Sequence, residues 1–300
     1  MKMIIKIALC LLLVFFFPSA PRAAEPLSVV TTTADLAAIV KAVGGERVKV
    51  ESIAKGFQDP HYVEAKPSYM RLVNQARLLF HVGLQLEIGW LPLLVQGARN
   101  SRLVQVELSQ GISVLDRPTG PISRAQGDVH PEGNPHYWLD PRNGVIMARR
   151  IAQDLKTLLP SDGARFEQNL KLFESDLSRR RQKWEERMAP FRGAEVVAYH
   201  KEWQYPAKWL GISIADYVED KPGIPPSPRH LENLIQTMRQ RKVKAVLTSN
   251  FVGPTVPQAV AEKGGARMIV LPVSVGGEKG IESYGDLFDV ITGRLAEGLK

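Results

Sequence analysis

The strongest constraint on this chain is an alternation of short β-branched runs with helical-period segments, which occurs twice and is broken once by a long charged stretch. In the first half, LSVVTTTA (Leu27 to Ala34), VKVESIA (Val48 to Ala54), RLLFHVGL (Arg77 to Leu84) and RLVQVEL (Arg102 to Leu108) read as strands. ADLAAIVKAVGG, PSYMRLVNQA and LEIGWLPLLVQGA read as helices between them, the first closed by glycine. The second half restarts with EVVAYH (Glu195 to His200), ISIADYVED (Ile212 to Asp220), KAVLTSNF (Lys244 to Phe251) and RMIVLPVSV (Arg267 to Val275). One of its helices, SPRHLENLIQTMRQRK, opens with Ser227 as N-cap and Pro228 at the first helical position. Strands alternating with helices predict an α/β fold of mainly parallel sheets covered on both faces.

The interruption is Ser161 to Phe191, charged and free of proline until Pro190. Phe166, Leu170, Phe173, Leu177, Trp184 and Met188 fall mostly at three- and four-residue steps, which predicts one amphipathic helix of roughly 25 residues, too few clean heptads for a coiled coil. The expected organisation is a leader at 1–24, an α/β lobe at 25–160, a linking helix at 161–191 and a second α/β lobe at 192–300. Asp116 to Pro135 reads as a long turn-rich loop.

The leader follows from three adjoining features. MKMIIK is basic, Ile7 to Phe17 is an apolar run too short to span about 30 Å of hydrocarbon, and Pro18 to Ala24 supplies small residues for cleavage. Cleavage near Ala24 predicts an exported chain. The single cysteine, Cys10, lies inside the apolar run and not at a lipidation box, so the mature chain is expected to lack thiols, disulfides and a lipid anchor. The formal charge of +8 includes Lys2, Lys6 and Arg22 of that leader. The remaining charges of both signs are interspersed, which argues against nucleic-acid binding.

A cysteine-free chain must hold any metal with histidines and carboxylates. Of the six histidines, His61 follows the second strand, His136 precedes the PRNGVIMARRIAQDL helix and His200 ends EVVAYH. In an open α/β sheet, ligands gather beyond the carboxyl ends of the strands, so these three can face one cleft. His81 reads as a core or strand-end residue, His230 as the exposed side of a helix start, and His130 as a candidate for transient metal contact from the loop. Three neutral imidazoles suit Zn²⁺, whereas Mn²⁺ prefers more carboxylate. Asp59 and Glu64 beside His61, and Asp140 after His136, are candidates to fix the ring tautomers. No G-x-S-x-G elbow and no H-E-x-x-H spacing occurs. Glu202, two residues after His200, leaves a zinc-dependent hydrolase as an alternative.

DPHYVEAKPS at Asp59, VGLQLEIGWLPLL at Val82, NPHYWLDP at Asn134 and YHKEWQYPAKWLGI at Tyr199 together resemble the zinc- and manganese-specific solute-binding proteins of bacterial ABC importers. The resemblance covers nearly the whole mature chain. It implies two α/β lobes joined by a rigid helix, with the metal between them and no enzymatic activity. It makes His61 and His136 ligands from the first lobe and His200 the first ligand from the second. A histidine at that third position looks like the zinc branch, since manganese members usually carry glutamate there.

The pattern departs near the C-terminus. Family members often supply a fourth ligand, an aspartate, from the loop after the last strand, where this chain has Ser274 and glycines in LPVSVGGEKGIESYGD. Asp220, at the end of the strand after His200, is the favoured substitute, with Glu219, Glu278, Glu282 or water as alternatives. The resulting expectation is a monomeric periplasmic protein that captures Zn²⁺, or alternatively Mn²⁺, and passes it to an inner-membrane ABC permease. A surface adhesin would need an anchor that this leader does not provide.

Overall fold

The computed structural model describes residues 25–300 apart from 122, 124, 125 and 128, so the predicted leader and Cys10 lie outside the described residues. Among the described residues, eight strands form two separate four-stranded sheets. The first contains β1 (Leu27–Thr31), β2 (Val48–Ser52), β3 (Leu78–His81) and β4 (Val104–Glu107), in the order β2-β1-β3-β4. The second contains β5 (Glu195–Ala198), β6 (Ser213–Tyr217), β7 (Ala245–Ser249) and β8 (Arg267–Leu271), in the equivalent order β6-β5-β7-β8. Every pairing is parallel. In each sheet the chain leaves the two central strands in opposite directions, which opens a crevice at their carboxyl ends.

Nine helices flank the sheets among the described residues: α1 (Ala34–Gly44), α2 (Pro67–Gln75), α3 (Leu91–Ala98), α4 (Pro141–Leu158), α5 (Gly163–Met188), α6 (Gln204–Leu210), α7 (Pro228–Arg241), α8 (Thr255–Gly264) and α9 (Tyr284–Gly298). Their starts follow the side-chain chemistry. Ser227 accepts from the backbone N–H of His230, as the sequence predicts, and Ser283 forms a capping box with Asp286. The strands are shorter than their apolar runs: β1 ends at Thr31 because Thr33 turns the backbone to cap α1.

One predicted helix is cut short. LEIGWLPLLVQGA is helical only from Leu91, with Pro92 in its first turn. The preceding residues instead wrap the buried carboxylate of Glu87, which accepts from the backbone N–H groups of Val82 (2.8 Å) and Gly83 (3.0 Å), while Leu84 and Gln85 take positive φ. Pairing those amides at a buried acid outweighs helical periodicity.

The charged stretch forms α5, 26 residues long. Phe166, Leu177, Trp184 and Met188 are buried, with Leu170 and Phe173 packed against the same core. Trp184 meets Phe288 of α9 at 5.3 Å and donates its Nε1–H to Asp289 at 2.6 Å. The apolar cluster that α5 crosses is continuous, containing Val29, Leu36 and Phe80 of the first lobe together with Val196, Leu247 and Leu271 of the second. Two smaller clusters fill the outer layers, one under α2 and α3 and one under α7 and α8. Both lobes therefore fold back on one shared core, with their strand ends facing each other.

Candidate metal centre

The two Pro-His-Tyr stretches use one local device. In Asp59-Pro60-His61, the Asp59 Oδ1 accepts from the His61 backbone N–H at 2.9 Å and from its ring Nδ1 at 2.7 Å. In Asn134-Pro135-His136, the Asn134 Oδ1 accepts from the His136 backbone N–H at 3.0 Å and from its ring Nδ1 at 2.9 Å. The orientation of the Asn134 amide is fixed independently, because its Nδ2 donates to Asp116 Oδ2 (3.1 Å) and to the Lys201 carbonyl (2.9 Å). The third ring, His200, is held at Nδ1 by Glu219 Oε2 at 3.0 Å.

All three partners at Nδ1 are acceptors, so each neutral ring carries its proton there and presents the Nε2 lone pair. The three imidazoles converge. Ring centroids are 5.0 Å apart for His61 and His136, 5.7 Å for His61 and His200, and 5.4 Å for His136 and His200. One nitrogen from each lies within 4.8 Å of the others. The Nε2 of His61 is buried and has no hydrogen-bond partner among the described residues. Three convergent nitrogen donors whose far sides are locked by acceptors could hold a divalent transition-metal ion.

The electrostatics favour a cation. Burial, reinforced by the other histidines, holds His136 well below the ordinary histidine value and so keeps it neutral. At His200, burial pulls the same way, but the Glu219 hydrogen bond and the charges of Glu202, Glu219 and Asp59 outweigh it and raise the ring. Burial pushes Asp59 up, yet its bonds to His61 prevail and lower it. Burial raises the carboxyl of Glu202, which also lines the cleft.

Several sequence-based assignments shift. Asp140 does not orient His136; it caps α4 at the Arg142 N–H and pairs with the Arg142 guanidinium, and Asn134 serves the histidine instead. Glu64 is exposed and pairs with Lys66 at 3.4 Å. Asp220 is exposed and outside the cleft lining, so the structure does not bring it to the histidines. The reason is alternation: Glu219 continues the β5–β6 ladder through its N–H to the Tyr199 carbonyl (3.0 Å), placing Glu219 on the cleft side and its neighbour on the other.

Glu278 pairs with Arg294 on α9, and Glu282 is exposed beside the α9 cap. Ser274, where the resemblance implies an aspartate, donates its hydroxyl to Asp35 of the first lobe, and the Val275 N–H joins the same carboxylate at 3.0 Å. His81 ends β3, where burial lowers its pKa. His230 is half-buried, its Nε2 bonded to the Tyr217 carbonyl at 2.9 Å, and not on an open face. The His130 ring lies 5.4 Å from that of His61 but outside the group of three. Asn134 is the functional residue that the sequence reading missed. Its signal was available in the shared pattern of Asp or Asn, Pro, His.

Comparison with known proteins shows the family and the fold. Residues 29–298 match the family described as "Zinc-uptake complex component A periplasmic". The metal ABC transporter substrate-binding lipoprotein FimA of Streptococcus parasanguinis is 28% identical over 292 residues, spanning 94% of this chain and 92% of the relative. The manganese ABC transporter substrate-binding lipoprotein PsaA of Streptococcus pneumoniae is 27% identical over 292 residues, with the same coverage of 94% and 92%. Among solved structures, that of ZnuA superposes with a TM-score of 0.78 at 22% identity, covering 92% of this chain and 100% of the other. The Cd-bound periplasmic metal binding protein of Candidatus Liberibacter asiaticus gives 0.75 at 20% identity, covering 91% and 99%.

Proposed function

The chain belongs to the zinc-uptake component A family of metal-binding, non-enzymatic solute-binding proteins of ABC importers, and on that premise we propose that its cargo is Zn²⁺. The observation that supports zinc is the donor set. Three neutral imidazoles with no carboxylate in the group suit Zn²⁺ at about 2.0–2.1 Å, whereas Mn²⁺ prefers more oxygen. His61, His136 and His200 are the ligands in this reading, and Asp220 is left out. The lobes at 25–160 and 192–300 hold the ion between them, the helix at 161–191 joins them, and an inner-membrane permease receives the metal. Removal of residues 1–24 places the mature protein, unanchored, in the periplasm.

A second reading, Mn²⁺, rests on the relatives that carry manganese in their names. Titrating chelator-stripped protein with each metal separates the two. The zinc reading requires one tight equivalent of Zn²⁺, lost in His136→Ala, and weaker binding of Mn²⁺. Tighter Mn²⁺ than Zn²⁺ would establish the second reading, and unchanged Zn²⁺ affinity in His136→Ala would remove the three-histidine site.

A further inference from the structure

Three carboxylates line the cleft with the histidines: Asp59, Glu219 and Glu202. The first two bond a ring Nδ1 and so stand one imidazole away from the metal. Glu202 bonds no histidine. It opens the turn after β5, while its partner Ser249 ends the neighbouring strand β7. The pair therefore sits at the crevice between the two central strands of the second sheet, where ligands of parallel sheets collect.

Only one side of this carboxylate is used. Its Oε1 accepts the Ser249 hydroxyl, whereas its Oε2 is buried and has no hydrogen-bond partner among the described residues. The residue is 3% exposed, so bulk water does not compensate that oxygen. A buried acceptor left this way is costly to a fold that serves no ligand. Beside it, the three neutral rings carry no charge of their own, and Asp59 and Glu219 reach a bound ion only through them, so its open position would meet no anion directly.

We infer that Glu202 is the anionic partner of the metal's fourth position, its Oε2 accepting a hydrogen bond from a water carried by the ion. This rests on the three-histidine reading above. Water mediates because no carboxylate oxygen joins the three nitrogens in their 4.8 Å grouping. Ser249 sets the direction of the carboxylate by holding its other oxygen. Glu202 is thus a positioning and charge-balancing residue of the second lobe.

The test is Zn²⁺ affinity measured against a competing chelator in the full mature chain, for Glu202→Gln, Glu202→Asp, Ser249→Ala and His136→Ala. Glu202→Gln is expected to weaken binding about 10–100-fold, the usual effect of losing an outer partner of a metal. Glu202→Asp keeps the charge and should recover most of that loss, while Ser249→Ala, which keeps the charge and loosens only its direction, should lose less than Glu202→Gln. The visible bands of the Co²⁺-loaded protein should remain four-coordinate in Glu202→Gln, because water keeps the fourth place.

Wild-type affinity in Glu202→Gln, with binding lost in His136→Ala, overturns the role of Glu202 alone. Retained affinity in His136→Ala overturns the underlying site instead. Equal losses in Ser249→Ala and Glu202→Gln, or in Glu202→Asp and Glu202→Gln, mean that packing at the β7 end is what matters, and a changed coordination number in Glu202→Gln rules out the water. Circular dichroism of each metal-free variant checks that it folds, and Glu202→Ala, which also removes the charge, carries the test if the glutamine variant does not.

Discussion

Asn134 and His136 are bound to each other twice, through the backbone N–H and the ring Nδ1 of the histidine, both to one amide oxygen. The same amide donates to the Lys201 carbonyl, one residue after His200 in the other lobe. A single side chain thereby aims a first-lobe ligand and ties it to the segment that carries the second-lobe ligand.

Replacing Asn134 or Asp59 by alanine is therefore expected to weaken Zn²⁺ binding about 10–100-fold in chelator competition, since each frees a ligand ring. Glu64→Ala, which removes an exposed partner of Lys66, should bind as wild type. Asp140→Ala should behave in the opposite sense, losing about 1 kcal/mol of folding stability with its helix cap and little metal affinity.

The Asp35 carboxylate, fully buried between the lobes, sets a pH dependence of stability. Burial pushes its pKa up to about 7 against the opposing donors Ser274 and Val275. The folded chain thus holds a proton that the unfolded chain has released above its ordinary value of 3.8. Folded protein binding more protons means that stability falls as pH rises from about 4 through 7. Denaturant melts of metal-free protein should show this slope, worth on the order of a few kcal/mol, and Asp35→Asn should flatten it. An unchanged slope in that variant would contradict the assignment.

Gly56 of the first lobe packs directly against the second-lobe backbone at Val275 to Gly277. A Cβ there would meet the Val275 carbonyl oxygen at 2.1 Å and the Gly277 nitrogen at 2.4 Å, both backbone atoms. Gly56→Ala should cost roughly 1–3 kcal/mol through overpacking, seen in denaturant melts, and should weaken Zn²⁺ binding because the cleft edges are displaced.

Trp184 of α5 is fully buried against Trp209 and Phe288. Trp184→Ala is expected to destabilise the protein by about 3–5 kcal/mol, read from equilibrium unfolding.

Much of this was legible from the residues. The two α/β halves, the long helix and the three histidines on loops and at a strand end are consequences of local periodicity and of where parallel strands expose their ends. The carboxylates were harder. Whether Glu219 or Asp220 faces the cleft depends on one step of strand alternation carried past the end of β6, and strand ends are where sequence patterns fade. Asp140 reads equally well as a histidine partner or as a helix cap, and the choice is made by Arg142 folding back on it. The roles of Glu202 and Asp35 depend on contacts 47 and 239 residues away, to Ser249 and Ser274, which no local pattern encodes.

The shared apolar core has a consequence for the transport cycle. A wide hinge motion would bring part of that common interior into water, and exposing about 200 Å² of it would cost about 5 kcal/mol. Thermal motion alone would therefore rarely part the lobes. Any exchange of metal that spares this core is confined to small displacements of the histidine-bearing loops.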